Sequence, residues 1–224
     1  MHGWSAFWNT YYQDGQAVRL EALEFVRQLE NLLGITATMR VLDFGCGAGF
    51  VAEALAPKVR ALYLWDVYPY QLNRARERLG RYENVAVLDL PAPANPRPPL
   101  RFDLILVNSV IQYMTASELQ GWLPRWAGLL EEHGRLVLSD LIPPGYGLAS
   151  DLLALFTFHP IANLRRLGKD VMLYFRTRSN APLLRVDQNQ LQAQAVLAGL
   201  DAYFLPRNLT HFARRYTAVL KLRT

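Results

Sequence analysis

The sequence predicts an α/β fold, a largely parallel sheet with helices on both faces. Three observations predict it. Short apolar runs alternate with longer amphipathic segments along the 224 residues, with no internal repeat. One run, Arg40 to Phe44, breaks into glycines on alternate positions and resumes with helical spacing at Val51, Ala54 and Leu55, which is the front half of a βαβ unit. A second run, Ala61 to Trp65, ends in Asp66 about twenty residues past those glycines, where a carboxylate can accept hydrogen bonds from ribose hydroxyls.

From the N-terminus, Trp4, Phe7, Trp8, Tyr11 and Tyr12 fall near one face of a helix that Asp14-Gly15 breaks. Val18 to Leu33 reads as an amphipathic helix with Leu20, Leu23, Phe25, Val26, Leu29, Leu32 and Leu33 on its apolar side and Gly34 as C-cap. Arg40 to Phe44 is the first buried strand. The turn after it, Gly45, Gly47 and Gly49, lets the backbone approach a ligand closely, and the next helix opens with free N–H groups. Its spacing excludes two common phosphate sites. The third glycine of a dinucleotide fingerprint would fall on Phe50, and no Gly-Lys-Ser/Thr follows as in a P-loop.

Ala61 to Trp65 is the second strand. Asp66 is either a ligand carboxylate or the N-cap of a helix from Gln71 to Leu79. Asn84 to Leu90 reads as a third strand, and the proline-rich stretch Pro91 to Pro99 as a rigid surface loop. Phe102 to Ser109 is the fourth strand and its exit. Thr115 and Glu118 form a capping box that opens a helix running to about Glu131 and ending near Gly134, ahead of a fifth strand, Arg135 to Ser139. In a parallel sheet the carboxyl ends of the strands share one edge, so Gly45, Asp66, Asp89, Asn108 and Asp140 should converge there.

Ile142 to Val186 is long for a connection. It opens Pro143-Pro144-Gly145, continues as an amphipathic helix from Leu148 to Leu167, and ends in a basic, aromatic stretch; it reads as an insertion on the substrate side. Asp187 caps a helix, Gln188 to Leu197, which Gly199 ends. Ala202 to Leu205 and Arg215 to Leu222 are the last two strands.

Composition bounds the function. The length suits one well-buried domain and is short for two. An apolar fraction of 51% and a charged fraction of 19% are ordinary for a globular protein. No uninterrupted apolar stretch approaches the length of a membrane span, and Met1-His2-Gly3-Trp4 lacks the basic start of a signal peptide, so the expected location is the cytoplasm. The single cysteine, Cys46, fits a reducing compartment. A net charge of +5 permits polyanion binding without requiring it.

Asp43-x-Gly45-x-Gly47-x-Gly49 after an apolar strand resembles motif I of the class I S-adenosylmethionine-dependent methyltransferases. Asn108-Ser109-Val110-Ile111-Gln112-Tyr113 is similar to motif IV of the small-molecule and natural-product members. The likeness covers Arg40 to about Asp140 and hardly reaches the insertion. It implies a Rossmann-like sheet of seven strands whose last strand, delivered by a hairpin, runs antiparallel. It implies S-adenosylmethionine as cofactor, held by Asp43, Gly45, Cys46, Gly47, Gly49, Asp66, Val67, Asp89, Leu90, Asn108 and Ser109. Asp89 would face the adenine amino group, or else form a turn before Pro91. In this resemblance residues 1–224 form one domain: lid helices at 1–34 with Tyr11 or Tyr12 reaching the cofactor, a cofactor-binding core at 35–141, the substrate-side insertion at 142–186, and a C-terminal helix and hairpin at 187–224. The aromatic stripe of the lid could equally be core packing. The hairpin connection, Pro206 to Phe212, would place Asn208 and His211 at the mouth of the site.

Methyl transfer is an in-line displacement, and a base is needed only where the acceptor keeps its proton. The candidates are His211, His159 and Tyr113, with His211 the best placed. Amino-directed nucleic-acid methyltransferases resemble one another in an Asp/Asn-Pro-Pro-aromatic tetrad at the fourth strand exit; Asn108-Ser109-Val110-Ile111 departs from it, which argues against base methylation. No metal is expected, because Asn108 and Asp140 have no second acid beside them. Arg165, Arg166, Lys169, Arg176, Arg178 and Arg185 in the insertion read as a solvated face, as a lining for an anionic substrate, or, with the apolar helix before them, as a peripheral membrane contact. The expectation is therefore methylation of an oxygen or nitrogen on a small or carrier-linked metabolite, anionic if the basic insertion lines the pocket. An RNA or protein methyltransferase, or a binding module without turnover, are the alternatives.

Overall fold

The computed structural model describes residues 16–88, 100–147 and 183–223. They form one seven-stranded sheet of order β3-β2-β1-β4-β5-β7-β6. The strands are β1 (Arg40–Phe44), β2 (Ala61–Trp65), β3 (Val85–Val87), β4 (Phe102–Asn108), β5 (Leu130–Leu141), β6 (Leu200–Phe204) and β7 (Tyr216–Leu222). Among the helices, α1 (Gln16–Leu33) precedes β1, α2 (Phe50–Leu55) follows it, and α3 (Pro69–Leu79) follows β2. Helix α4 (Ala116–Leu129) joins β4 to β5, and α5 (Gln188–Leu197) precedes β6. All pairings are parallel except those of β7, which runs antiparallel to both β5 and β6. The strand order turns back between β1 and β4, so these two carboxyl ends frame the crevice where such sheets bind ligands.

Alternation along the strands feeds two cores, one on each face. Leu42, Phe44, Ile105, Val107, Leu136 and Leu138 pack with Leu123 and Trp126 of α4 and Leu191 of α5. Val41, Leu62, Leu64, Leu104, Leu106 and Val137 pack with Phe25, Val26 and Leu29 of α1 and with Leu55 and Leu79. Two irregularities keep this partition. Phe102 and Leu104 would share a face in a regular strand, yet they join opposite cores because the β4–β5 register shifts between them. Leu138 and Leu141 join the same core because the β5–β7 register shifts between them, with Asp140 in the left-handed region at φ 68°.

Several sequence expectations are corrected. The buried stripe of α1 is Ala22, Phe25, Val26 and Leu29, spaced i, i+3, i+4, i+7, whereas Leu20, Leu23 and Leu32 are exposed. Gly34 ends the helix as expected, its N–H donating to Glu30 O at 2.9 Å. The third strand is only Val85–Val87; Asn84 stands just before it and donates through Nδ2 to Ala56 O and Val59 O. The capping box of Thr115 and Glu118 is present, but α4 stops at Leu129 and β5 begins at once with Leu130, paired to Phe102. Gly134, read as a helix end, lies where a Cβ would come within 2.7 Å of Phe102 O. Among the described residues no helix is long and apolar enough to cross a membrane.

Candidate functional site

The glycine turn is built against both neighbouring strands. Gly45 N and Cys46 N donate to Trp65 O at 2.7 and 3.1 Å, tying the turn to the end of β2. Gly45 has φ 79°, and a Cβ there would sit 2.4 Å from Val110 Cγ2. Only glycine lets the exit of β1 lie against the exit of β4. Gly47, at φ 52°, has no heavy atom of the described residues within 4 Å of its missing Cβ, so among them this side of the turn is open. Cys46 is buried, and burial raises its thiol well above the ordinary value, which fits packing rather than reactivity.

Two carboxylates stand beside the turn. Gly47 N donates to Asp66 Oδ2 at 2.8 Å, and Tyr68 N donates to Asp66 Oδ1 at 2.8 Å. Asp66 is thus clasped between the turn and the start of α3, whose N-cap is Tyr68, so the alternative reading of Asp66 as the N-cap is corrected. Burial raises the Asp66 carboxyl, and the N–H groups of Tyr68, Gly47 and Val67 pull it back. Asp43 is 2% exposed and its Oδ2 has no hydrogen-bond partner. Burial, and then the charge of Asp66, push Asp43 up to about 7. Neither acid has an ion-pair partner among the described residues. Two close carboxylates without a counter-cation, beside an open stretch of backbone, fit a ligand that carries both positive charge and hydroxyl donors.

On the other side of the crevice, Ser109 and Asp140 end β4 and β5 in the left-handed region, with φ 56° and 68°. Ser109 Oγ donates to Asp140 Oδ2 at 2.9 Å, and Arg215 Nη1 reaches the same oxygen at 2.7 Å. Asn208 Nδ2 and Thr210 Oγ1 donate to Asp140 Oδ1 at 3.2 and 2.8 Å. With two donors on each oxygen, Asp140 is fully hydrogen-bonded within the protein. Asn208 was expected at the mouth; instead it is 9% exposed, and its Oδ1 accepts from Asp140 N and Thr217 Oγ1. Asn108 Oδ1 accepts from the buried Ser139 Oγ at 2.7 Å.

His211 does stand on the carboxyl edge, in the loop between β6 and β7. Its Nδ1 lies 3.6 Å from Glu21 Oε2 of α1, and its ring packs 4.0 Å from that of Phe212. Burial, then the charge of Asp140, raises the Glu21 carboxyl. Tyr113 is half-buried in the short turn Ile111–Tyr113 behind β4, and Val67 is exposed beside Asp66. Tyr11, Tyr12, Asp89, Leu90 and His159 lie outside the described residues.

Glu21, Thr210 and Arg215 were not anticipated. Glu21 sits on a helix read as amphipathic and part of the lid, and nothing local marks it. Arg215 left a faint signal, a charged residue immediately before a strand whose first five residues are buried.

A seven-stranded sheet of this order, with a glycine turn after its first strand and an acid after its second, defines the class I methyltransferase fold. Residues 42–136 match the family described as methyltransferase domain. It is similar to a demethylmenaquinone methyltransferase of Tropheryma whipplei, 34% identical over 114 residues that make up 51% of this chain and 46% of the relative. It is also similar to a ubiquinone biosynthesis O-methyltransferase of Bradyrhizobium diazoefficiens, 32% identical over 52% of this chain and 44% of the relative. The chain thus spans about half the length of these curated relatives. In fold it resembles the magnesium protoporphyrin IX methyltransferase of Synechocystis PCC 6803, crystallised with bound SAH. The TM-score is 0.61 at 17% identity, over 100% of this chain and 94% of that one.

Proposed function

We propose that this chain transfers a methyl group from S-adenosylmethionine to an oxygen or nitrogen of a small or carrier-linked, anionic metabolite. The observation that carries the reading is the arrangement of Gly47, Asp66 and Asp43: an open turn whose amide is held by one carboxylate while a second, unpaired carboxylate lies buried behind it. S-adenosylmethionine supplies an electrophilic methyl group on a sulfonium together with an ammonium and two ribose hydroxyls. Asp66 keeps lone pairs free for hydroxyl donors after accepting from Gly47 and Tyr68. Asp43 offers the negative charge that the ammonium side needs.

In this reading the exits of β4 and β5 form the floor of the acceptor site, held rigid by the Ser109–Asp140 contact. His211 takes the acceptor proton where there is one to take, and Glu21 favours the imidazolium that results. The arginines that the sequence carries between 142 and 186 favour an anionic acceptor in this reading. Two of the relatives are named for demethylmenaquinone and for ubiquinone biosynthesis, which supports a small-molecule acceptor. A ribosomal protein L11 methyltransferase of Pseudomonas fluorescens, 32% identical over 55% of this chain, keeps a protein acceptor as the second reading.

The test is calorimetric titration of the protein with S-adenosylmethionine and S-adenosylhomocysteine, with Asp66→Ala alongside. Micromolar binding that the variant loses is expected. Absence of binding by either ligand to the unaltered protein would remove the reading.

A further inference from the structure

We propose that Arg78, carried on α3, is a positioning residue that sets the shape of the glycine turn from outside. The proposal rests on the reading above only for the identity of the ligand that the turn receives. Its guanidinium makes three contacts along the turn and the helix that follows. Arg78 Nε donates to Ala48 O at 2.9 Å. Its guanidinium carbon lies 3.7 Å from the centroid of the Phe50 ring. Its Nη1 lies 3.5 Å from Glu53 Oε2, and the side chain is only 9% exposed.

The location gives these contacts their meaning. Ala48 stands between Gly47 and Gly49, both in the left-handed region at φ 52° and 80°. A turn made of alternate glycines has several backbone shapes open to it, and its own side chains select none of them. Holding the carbonyl of Ala48 orients the Ala48–Gly49 peptide. That orientation accompanies the bond from Gly49 N to Cys46 O at 2.9 Å and the bond from Gly47 N to Asp66 Oδ2 at 2.8 Å. Arg78 is itself held by Glu53, which also receives Arg19 of α1 at 2.9 Å and Arg81 at 3.1 Å. One carboxylate therefore joins α1, the cofactor turn and the end of α3. Lysine cannot replace this arginine, because the role uses a flat face for Phe50 and separate nitrogens for Ala48 and Glu53.

The experiment compares amide hydrogen exchange in unliganded protein with Arg78→Lys and Arg78→Met, using Arg74→Met on the same helix to control for lost charge. Exchange at Gly47 and Gly49 is expected to quicken about tenfold or more in both Arg78 variants, while Leu42 of β1 and Ile105 of β4 keep their protection. In parallel, S-adenosylhomocysteine is expected to bind about tenfold or more weakly to the Arg78 variants and normally to Arg74→Met. Unchanged exchange at the two glycines overturns the proposal whatever the ligand does. So does equal acceleration in β1 and β4, which would mark general loss of stability. An unaltered protein that ignores S-adenosylhomocysteine removes the cofactor reading and leaves exchange to decide the role of Arg78. Arg78→Lys, which keeps charge and stem, remains decisive should Arg78→Met fail to fold.

Discussion

Arg215 meets Asp140 in a buried ion pair, Nη1 to Oδ2 at 2.7 Å, with the two side chains 5% and 1% exposed. The pair joins the residue just before β7 to the left-handed residue near the end of β5. The guanidinium also stacks 3.9 Å from the Phe212 ring centroid. Removing one partner strands a buried charge, so Arg215→Met should cost about 3–5 kcal/mol of folding stability. Asp140→Asn combined with Arg215→Met should cost less than the sum of the two single changes. Urea unfolding of the three variants measures this, and strictly additive losses would show that the pair does not act as a unit.

The glycines of the turn separate stability from binding. Gly45→Ala places a methyl 2.4 Å from Val110 Cγ2 at a φ of 79°, and about 2 kcal/mol or more should be lost. Val110→Ala in the same chain should restore part of that loss, because the clash goes while the backbone strain stays. Gly47→Ala meets no atom of the described residues within 4 Å, so the strain of its left-handed conformation, about 1–2 kcal/mol, is expected. Its methyl enters the open side of the turn, and S-adenosylhomocysteine binding should fall by more than stability does. Thermal unfolding beside calorimetric titration distinguishes the two cases.

The strand and helix order was legible because each apolar run carries its period and each break carries glycine, proline or a cap. The contact between Gly47 and Asp66 was legible for a similar reason, since a strand, a turn and an acid at fixed spacing force them together. What escaped the sequence depends on distant packing. Leu20, Leu23 and Leu32 look core-facing on a helical projection, but α1 turns its Ala22–Phe25–Val26–Leu29 stripe inward instead. Glu131 and Glu132 continue a helical pattern, yet Leu130 pairs with Phe102 and starts a strand. Asn208 and Glu21 carry no local mark of their partners. Asn208 reads as a loop residue until β5 supplies Asp140, and Glu21 reads as a solvated helix face until the β6–β7 loop supplies His211.

The Glu21–His211 contact separates acceptor classes. A hydroxyl acceptor gives up a proton during transfer, so His211→Asn should lower the rate by about 10²–10⁴ and Glu21→Gln by a smaller factor. An amine that arrives unprotonated needs no base, and both variants should then transfer at near the unaltered rate. Affinity for S-adenosylhomocysteine should hold in each case if, as proposed, the pair serves the acceptor and not the cofactor. Single-turnover transfer to matched phenol and amine acceptors provides the comparison. Equal loss on both acceptors would assign His211 to positioning and not to proton removal.

Asp43 links stability and ligand binding to pH, with opposite signs. Its carboxyl is pushed up to about 7 in the folded protein, from an ordinary value of 3.8. Between these values the folded chain keeps a proton that the unfolded chain has released, so stability falls as pH rises through this window and levels off above 7. Asp43→Asn removes the charge that burial opposes. The variant should therefore be more stable than the unaltered protein at pH 8, and the difference should shrink steadily towards pH 4. A cationic ligand reverses the preference, because it favours the ionised carboxylate. Affinity for S-adenosylmethionine should weaken as pH drops below 7, and Asp43→Asn should flatten that dependence. Unfolding and titration of both proteins at pH 5, 6.5 and 8 would check the pair of trends. A variant no more stable than the unaltered protein at pH 8 would show that Asp43 is ionised there at no cost.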